Sequence, residues 1–571
     1  MAVPASAQGL SGTDAGALLR QEEMKQRDIP RELPRQAEQA PLPMPAVEAS
    51  DLVEINSVQF DGDLTLLPEN ERRTLTADVI GQKLDFAGLT ALTSRITAAL
   101  KKRGWMLARA YIPPQDLISG ELMISIVSGR LDSSDQSYRV EAEGKVPLRI
   151  SKKRLQRMAR AKVKQGDAIS EVELTQALLL MNDLPGVSVR AALEPGAEPG
   201  STRIALRTKQ KMLLRPSLAI NNFGGETTGV RQISGSLGIE DPFGWGDRMT
   251  VGLVKTKGMT LNSVGYQIPI GYSGLTFQGS LSRLRYTSLN GAALKAGLRG
   301  RARTMRAGLS YPLVRTVRDR MDLDVSFSRE RMRDDSTYAV FNDKALNTVT
   351  VDFSGDVLDD LGGGGRTLWS IRPAFGKLTA SALASRVKKD SDFDAYRSVG
   401  SFGKLSFQFS RLQSVVPRVT VYANVQGQIA QRNLDSSQKF YPAGPSALRA
   451  YDSSEASADK GALVQAEVRY SMPLPFRAGT VQFAAFYDRA RVWLHHKNYN
   501  VPIDTVSGRN NYSLHGAGVG ATVNFPMGGY VRASWAKPIG DNPGQSSRTT
   551  TPQDTTPQGR GRFWLQAGFQ F

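Results

Sequence analysis

The chain has 571 residues, 40% of them apolar and 22% charged, a composition that allows several folded domains. No run of 18 apolar residues occurs, which excludes helical membrane spans but not strands whose lipid-facing residues alternate with polar ones. The formal charge of +19 is spread along the chain, so nothing in it favours nucleic-acid binding. Cysteine is absent, which fits an oxidising compartment.

The first 50 residues predict three short segments. An A-x-A triplet at 5–7 resembles the end of a signal peptide, so residues 1–12 are interpreted as its remnant or as a disordered start. Helix formers follow Thr13, a candidate N-cap, and predict a short polar helix within residues 13–29. Repeated prolines predict an extended linker over residues 30–50.

Two similar domains are predicted next. Residues 51–131 alternate strand and helix signals in the order β-α-α-β-β, and residues 132–209 repeat that order. In the second repeat, a basic helix within residues 152–164 is expected to present a solvated face. The pattern indicates tandem small α+β domains.

From residue 210 to residue 571 an alternation of period two replaces the helical pattern. Met321, Leu323, Val325 and Phe327, for example, alternate with polar residues. About sixteen such strands occur, with alternately short and long connections. This is typical of an outer-membrane barrel, because the connections of a soluble β-sandwich do not sort by length.

The last strand ends in alternating aromatic residues. Phe569 and Phe571 are predicted to close the barrel by pairing of this strand with the first one, and to act as an assembly signal.

This organisation resembles the B-component (TpsB-type) transporters of two-partner secretion, whose repeats are called POTRA domains. The string LLLMNDLPGV at residues 178–187 is similar to that family's most recognisable motif, and IPPQ at residues 112–115 resembles a corner of its first repeat. The resemblance implies a mainly β fold, in which a plug helix, a linker and two POTRA domains precede a 16-stranded transmembrane barrel.

The resemblance also assigns roles to the helix and to the second repeat. The segment 13–29 resembles the helix that fills the pore at rest. Its predicted plug residues are Leu18, Leu19, Arg20 and Glu23. The family captures its unfolded client in the periplasm, and an exposed strand edge beside a helix can do so by strand addition. The predicted client-binding residues are Leu174, Leu178, Leu179, Asn182, Leu184, Pro185 and Gly186.

Residues 430–461 resemble the family's long sixth loop. The loop motif V-R-G-Y corresponds to residues 448–451, here with Arg449 and Tyr451, and the strand motif F-x-D-x-G to residues 486–490, here with Phe486 and Asp488. Alternation places Asp488 in the lumen, so an ion pair with Arg449 is predicted. Alanine replaces the glycine of each motif, at positions 450 and 490, which leaves the local backbone path open.

Enzyme motifs are lacking. The sequence has no G-x-S-x-G elbow, P-loop, dinucleotide fingerprint or H-E-x-x-H pattern. His495 and His496 are interpreted as ordinary loop residues, and Asp322 and Asp324 as pore lining; neither metal nor cofactor is predicted.

The expected function is the export of one large TpsA-type partner, an adhesin, cytolysin, haem-scavenging protein or toxin, through a monomeric pore in the bacterial outer membrane. Further expected partners are outer-membrane lipid or lipopolysaccharide and, during biogenesis, the barrel-assembly machinery. One alternative is a barrel-assembly insertase of the same superfamily, which usually carries three or more POTRA repeats. The other is a passive porin, which needs no receptor domains.

Overall fold

The computed structural model describes residues 14–25, 52–117, 119–198, 201–289, 291–338, 340–381, 397–475, 479–499, 502–503, 505–545 and 561–570. The predicted leader remnant (1–12), Thr13, the linker (30–50) and Phe571 lie outside the described residues.

The N-terminal helix, α1, covers Ala15–Lys25. Its N-cap is Asp14, the role predicted for Thr13: the Asp14 Oδ1 atom accepts a hydrogen bond from the Ala17 N–H at 2.7 Å. Among the described residues, none of the helices is both long enough and apolar enough to cross a membrane.

The first small domain contains β1 (Val53–Glu54), β2 (Ser57–Gly62), α2 (Glu69–Thr76), β3 (Lys83–Leu84), α3 (Phe86–Lys102), β4 (Arg109–Tyr111) and β5 (Glu121–Val127). Strand β5 lies between parallel β2 and antiparallel β4. The buried side of α3 carries Leu89, Leu92, Ile96 and Leu100, the i, i+3, i+4 spacing that a helix needs to cover a sheet. The predicted order of elements is therefore found, with the short β1–β3 pair added.

The second small domain contains β6 (Arg130–Leu131), β7 (Tyr138–Ala142), α4 (Lys152–Arg160), α5 (Glu171–Asn182), β8 (Val187–Pro195) and β9 (Ser201–Gln210). Central β9 pairs in parallel with β6 and β7 and antiparallel with β8. Strand β6 falls within the range expected for the first domain (51–131), yet it pairs in the second sheet. Strand pairing thus favours a boundary before residue 130.

The remaining chain forms sixteen antiparallel strands: β10 (Leu214–Asn221), β11 (Gln232–Glu240), β12 (Arg248–Lys255), β13 (Met259–Pro269), β14 (Thr276–Thr287), β15 (Arg299–Arg315), β16 (Asp319–Asp335), β17 (Val340–Asp359), β18 (Gly365–Ala380), β19 (Gly400–Val416), β20 (Val419–Ala430), β21 (Lys460–Pro473), β22 (Thr480–Trp493), β23 (Asn511–Asn524), β24 (Gly529–Pro538) and β25 (Arg562–Gln570). They form one closed barrel, as predicted. Closure is between β10 and β25, where Leu218 lies opposite Phe569. A short helix, α6 (Gly291–Lys295), lies in the connection between β14 and β15.

The two faces of the barrel wall differ as the alternation predicts. Large apolar side chains on the outer face are exposed, among them Leu281, Val325, Phe327, Phe375 and Phe563. The opposite face of the same strands contacts α1 and the long loop between β20 and β21. The wall therefore has a lipid-compatible outside and an occupied lumen.

Candidate functional site

The long loop, residues 431–459, folds back into the barrel lumen. Its buried apolar side chains pack against β22, β23 and β24; those of the loop are Phe440, Ala443, Ala447, Leu448, Ala450, Tyr451, Ala456 and Ala458. Residues Phe440 and Ala458 pair across the loop as an isolated β-bridge. The loop is thus a packed part of the interior.

Arg449 of the loop forms the predicted pair with Asp488 of β22. Its Nε and Nη2 atoms donate to the two carboxylate oxygens at 2.9 and 2.7 Å, and its backbone N–H donates to Asp488 Oδ2 at 3.1 Å. The side chains of Arg449 and Asp488 are 10% and 0% exposed. Breaking a buried pair of this kind by removing one partner costs about 3–5 kcal/mol, so this contact fixes the loop to the wall.

A second carboxylate completes the site. Arg449 Nη1 donates to Glu467 Oε1 at 2.6 Å, and the other oxygen of Glu467 accepts from Arg469 Nε at 2.7 Å. The guanidinium of Arg449 also stacks on the Phe486 ring, with 3.3 Å between Cζ and the ring centroid. Trp564 Nε1 donates to the Arg449 carbonyl at 2.7 Å. Three barrel strands therefore hold one loop arginine.

Glu467 is a residue that the sequence analysis did not single out. It lies on β21 in the same inward-facing series as Gln465 and Arg469, both buried. The signal was an acid among alternating buried positions, but only the fold shows that it faces Arg449.

The two motif alanines fit without backbone strain. Positive φ among the described non-glycine residues occurs at Asp241, Arg397, Arg418 and Ala456, and so neither Ala450 nor Ala490 needs a conformation reserved for glycine. Both are buried.

Helix α1 lies inside the barrel. Leu18 and Leu19 pack in a cluster with inward-facing residues of β12 to β19, and Glu22 Oε2 accepts from Gln232 Nε2 of β11 at 2.7 Å. The helix is less purely polar in its contacts than predicted, because its first half inserts Ala15, Leu18 and Leu19 among apolar lumenal side chains. That α1 plugs the pore stays a prediction.

The first turn of α1 is anchored by one junction of charges. Lys344 of β17, whose side chain is 1% exposed, donates to Asp14 Oδ2 at 3.0 Å and to Asp435 Oδ2 of the long loop at 2.8 Å. Ser436 Oγ also donates to Asp14, at 2.6 Å. The Ala15 N–H donates to Asp334 Oδ1 of β16 at 3.0 Å, where a helix N-terminus favours negative charge. One lysine thus joins helix, loop and wall.

A polar cavity of about 830 Å³ lies beside α1. Its lining includes the predicted plug residues Arg20 and Glu23, which pair at 3.1 Å, and Asp324, predicted to line the pore. Arg306 of β15 reaches Glu23 at 3.4 Å. Both signs of charge are present along the wall of the lumen.

The second small domain docks on the barrel through turns at one end of the strands. Arg154 donates to the carbonyls of Pro269 and Gly271, both at 3.0 Å, and Arg157 donates to Tyr272 OH at 2.8 Å. The expectation of a solvated face on this basic helix is therefore wrong for Arg154, which is half-buried against the barrel, whereas Arg157 is exposed although it contacts Tyr272. A single sequence cannot show that a barrel turn lies against this helix.

A second contact docks the end of α5. Both carboxylate oxygens of Asp183 accept from Arg315 of β15 at 2.8 Å. Beside it, Gly186 packs so closely on the turn after β11 that an added Cβ would lie 2.9 Å from Asp241 Cβ. Burial raises the pKa of the Asp241 carboxyl, although the hydrogen bond that this carboxylate accepts from the Gly246 N–H lowers the same pKa.

Most of the predicted client-binding residues are inaccessible in this arrangement. Leu174 and Leu184 belong to the core of the second domain, and Pro185 and Gly186 are also buried. Asn182 bonds to the backbone of β8, while Leu178 and Leu179 remain half-buried. Direct client contact by the buried four is incompatible with this state, because Leu174 and Leu184 lie in the core of the domain itself and Gly186 lies against the barrel turn. Client binding near α5 stays a prediction.

The two predicted loop histidines are held through their backbone N–H groups, which donate to side chains of other loop residues. The His496 N–H donates to Asp459 Oδ2 at 2.9 Å, and the His495 N–H to Asn510 Oδ1 at 3.0 Å. Within the described ranges, no cluster of His, Cys, Asp and Glu side chains suited to a metal ion is found.

Comparison with protein families decides the affiliation. Residues 200–523 match the family described as haemolysin secretion/activation protein ShlB/FhaC/HecB, and residues 53–129 match the ShlB-type POTRA domain. The chain belongs to the ShlB/FhaC/HecB family. It is accordingly an outer-membrane transporter of the two-partner secretion type, with its POTRA domains in the periplasm.

Individual relatives agree with this membership. The haem/hemopexin transporter protein HuxB of Haemophilus influenzae (strain 86-028NP) is 24% identical over 494 residues, covering 84% of this chain and 83% of HuxB. The outer membrane transporter CdiB of Dickeya dadantii is 23% identical, covering 85% and 83%. The solved structure of CdiB from Escherichia coli covers 100% of both chains with a TM-score of 0.69 at 21% identity, which shows a shared fold.

Proposed function

We propose that this transporter receives one TpsA-type protein at its POTRA domains and passes it through the barrel lumen as an extended chain. The observation that supports the proposal is a polar lumen, suited to an unfolded polypeptide, that is occupied by α1 and by the long loop. Lys344 contacts both segments. Such a pore conducts a client only after the helix leaves.

The periplasmic end of the barrel is the end on which the second POTRA domain docks. The turns that Arg154, Arg157 and Asp183 contact belong to this end. The docked domain therefore stands at the mouth, where a captured client has a short path into the lumen. A passive porin has no use for such a receptor.

We place client capture on the outer edge of β8. The N–H and C=O groups of Val189 point away from β9, and the Asn182 side chain bonds to both, at 2.9 and 2.8 Å. Backbone groups that point away from β9 recur at every second residue, so the N–H and C=O groups of Ala191 and Leu193 also point outward. Pro195, the next residue in this series, has no N–H. A client strand would add at Ala191 and Leu193, beside half-buried Leu178.

Direction would come from folding of the client outside the cell, since the sequence has no P-loop and the proposed conduit needs no nucleotide. ATP hydrolysis by the purified protein would overturn this point. We further propose that the barrel-assembly machinery inserts this chain as a monomeric pore, with Phe569 in the strand that closes last.

The test is export of the protein encoded beside this one. An Ala191→Pro variant removes one outward N–H from the β8 edge but no hydrogen bond to β9. Export is expected to fall, whereas Arg190→Ala, an exposed change on the same strand, should leave it intact.

Assembly of other outer-membrane proteins is followed in the same cells. If their assembly fails and export persists, the chain is an insertase. If Ala191→Pro exports normally, the β8 edge is not the receptor.

A further inference from the structure

Seven arginines form a patch on the outer wall of the barrel. They lie on three consecutive strands and are Arg283 and Arg285 of β14, Arg299, Arg301 and Arg303 of β15, and Arg329 and Arg331 of β16. Their side chains belong to the outer face, because inward neighbours such as Leu284, Ala302 and Met332 are buried against the α1 cluster. We call these seven residues the arginine patch.

The patch begins where the apolar outer surface ends. On β14 the exposed Leu281 is followed by Arg283, on β15 Met305 follows Arg303, and on β16 Phe327 precedes Arg329. The opposite ends of these strands carry the turns that contact the second POTRA domain, such as Tyr272. The patch therefore lies at the extracellular border of the apolar belt.

Strand register brings like charges face to face. Arg283 lies opposite Arg303, which in turn lies opposite Arg331, and Arg285 lies opposite Arg301. Neighbouring strands are roughly 5 Å apart and alternate residues on one strand roughly 7 Å apart. Like charges directly opposite each other destabilise a sheet, so a bound anion would stabilise this arrangement.

Protein carboxylates do not supply the compensation within the described part of the chain. None of the seven arginines forms an ion pair there, whereas Arg333 beside them pairs with Asp335 and Asp343. Asp335 lies opposite Arg299 in register but is bonded to Arg333. Among the described residues, the positive charge of the patch is therefore not balanced by a protein carboxylate.

We propose that the arginine patch binds the phosphorylated head group of the glycolipid in the outer leaflet of the membrane. Guanidinium groups bind phosphate oxygens in pairs of parallel hydrogen bonds. The apolar side chains just below, Leu281, Met305 and Phe327, would contact the acyl chains of the same molecule. The positive charge of the patch complements the phosphate groups, and its position at the border of the apolar belt matches the level of the lipid head groups. The inference rests on the outer-membrane location of the barrel and not on the proposed export of a client.

The experiment measures glycolipid retained by the purified full chain in detergent, by native mass spectrometry. The probes are bisphosphorylated lipid A, the same lipid after phosphatase treatment, and phosphatidylglycerol, with inorganic phosphate as competitor. The variant changes Arg283, Arg301, Arg303 and Arg331 to Gln. The matched control changes four exposed POTRA lysines, Lys101, Lys102, Lys145 and Lys209, to Gln.

Wild type and control are expected to retain lipid A in the presence of inorganic phosphate, and the variant to bind it at least about tenfold more weakly because four charge-assisted contacts are lost. The proposal would be overturned if the variant retained as much lipid A as wild type does. It would also be overturned if wild type retained the dephosphorylated lipid or phosphatidylglycerol as well as it retains lipid A. Heat-modifiable migration of the barrel verifies folding of each variant. Client export by the wild-type chain is scored separately: a wild type that retains lipid A but exports no client would count against the proposed function alone.

Discussion

Ala450 of the long loop packs directly against Gly516 of β23. A Cβ built on Gly516 would lie 2.5 Å from the Cβ of Ala450, closer than two such atoms approach. The methyl group at the loop-motif position thus occupies space that a glycine in the wall leaves open. The fit explains how this chain keeps the Arg449 contact without the family's glycine.

The first prediction follows from this packing. Gly516→Ala should displace the loop and destabilise the folded barrel by about 1–3 kcal/mol, the usual effect of overpacking a well-packed core. The temperature at which heat-modifiable migration is lost should fall. Adding Ala450→Gly to Gly516→Ala should restore it; no restoration would mean that the two residues do not compete for the same space.

The second prediction concerns the buried arginine. Arg449→Lys keeps the charge but loses the fork that reaches both Asp488 and Glu467, and should lower the free energy of unfolding by about 3 kcal/mol. Export should fall with it. Arg509→Lys, in an exposed loop segment, is the matched control. Full stability and export of the Arg449 variant would show that the fork does not position the loop.

A third prediction tests the hold on α1. Asp14→Asn keeps an N-cap but removes the charge that Lys344 contacts. A hydrogen bond to a charged group contributes about 1.5–3 kcal/mol, so the ratio of open to closed channels should rise about tenfold or more. Single-channel conductance in planar bilayers measures this ratio. Asp61→Asn, exposed in the first domain, should leave it unchanged; an unaltered ratio for Asp14→Asn would exclude Lys344 as the latch.

The fourth prediction addresses POTRA docking. Asp183→Arg places a third cation beside Arg315 and Arg320 and should loosen the second domain, although a pair this exposed contributes only about 0–1 kcal/mol. Because the chain has no cysteine, spin labels on Lys162→Cys and Val317→Cys report one distance. Its distribution should broaden and should narrow again with Arg315→Asp added.

Glu171→Arg, at the far end of α5, is the control for charge reversal alone. An equally broad distribution in this control would attribute the effect to net charge instead of the Asp183–Arg315 pair.

Local sequence patterns were enough for the architecture. Period-two alternation from residue 210 predicted the closed sixteen-stranded barrel, because each lipid-facing side chain has to be apolar regardless of which strand lies beside it. The resemblance of residues 448–451 and 486–490 to two paired motifs of the family implied that Arg449 and Asp488 meet, and alternation placed Asp488 in the lumen; the structure shows the two bonded. The tandem β-α-α-β-β domains were predictable on the same local grounds.

Tertiary structure alone decided which distant residues meet. Lys344 bonds to Asp14 and Asp435, and Arg154 contacts a turn more than a hundred positions away, contacts that depend on barrel register and domain docking. Each residue on its own shows only that it is charged. The sequence by itself determined the barrel, its faces and the loop motif. The lock on α1, the docked arginines and the rows of facing arginines depend on insertion of α1 and the loop into the lumen, on domain docking and on strand register, which place residues side by side that no local pattern relates.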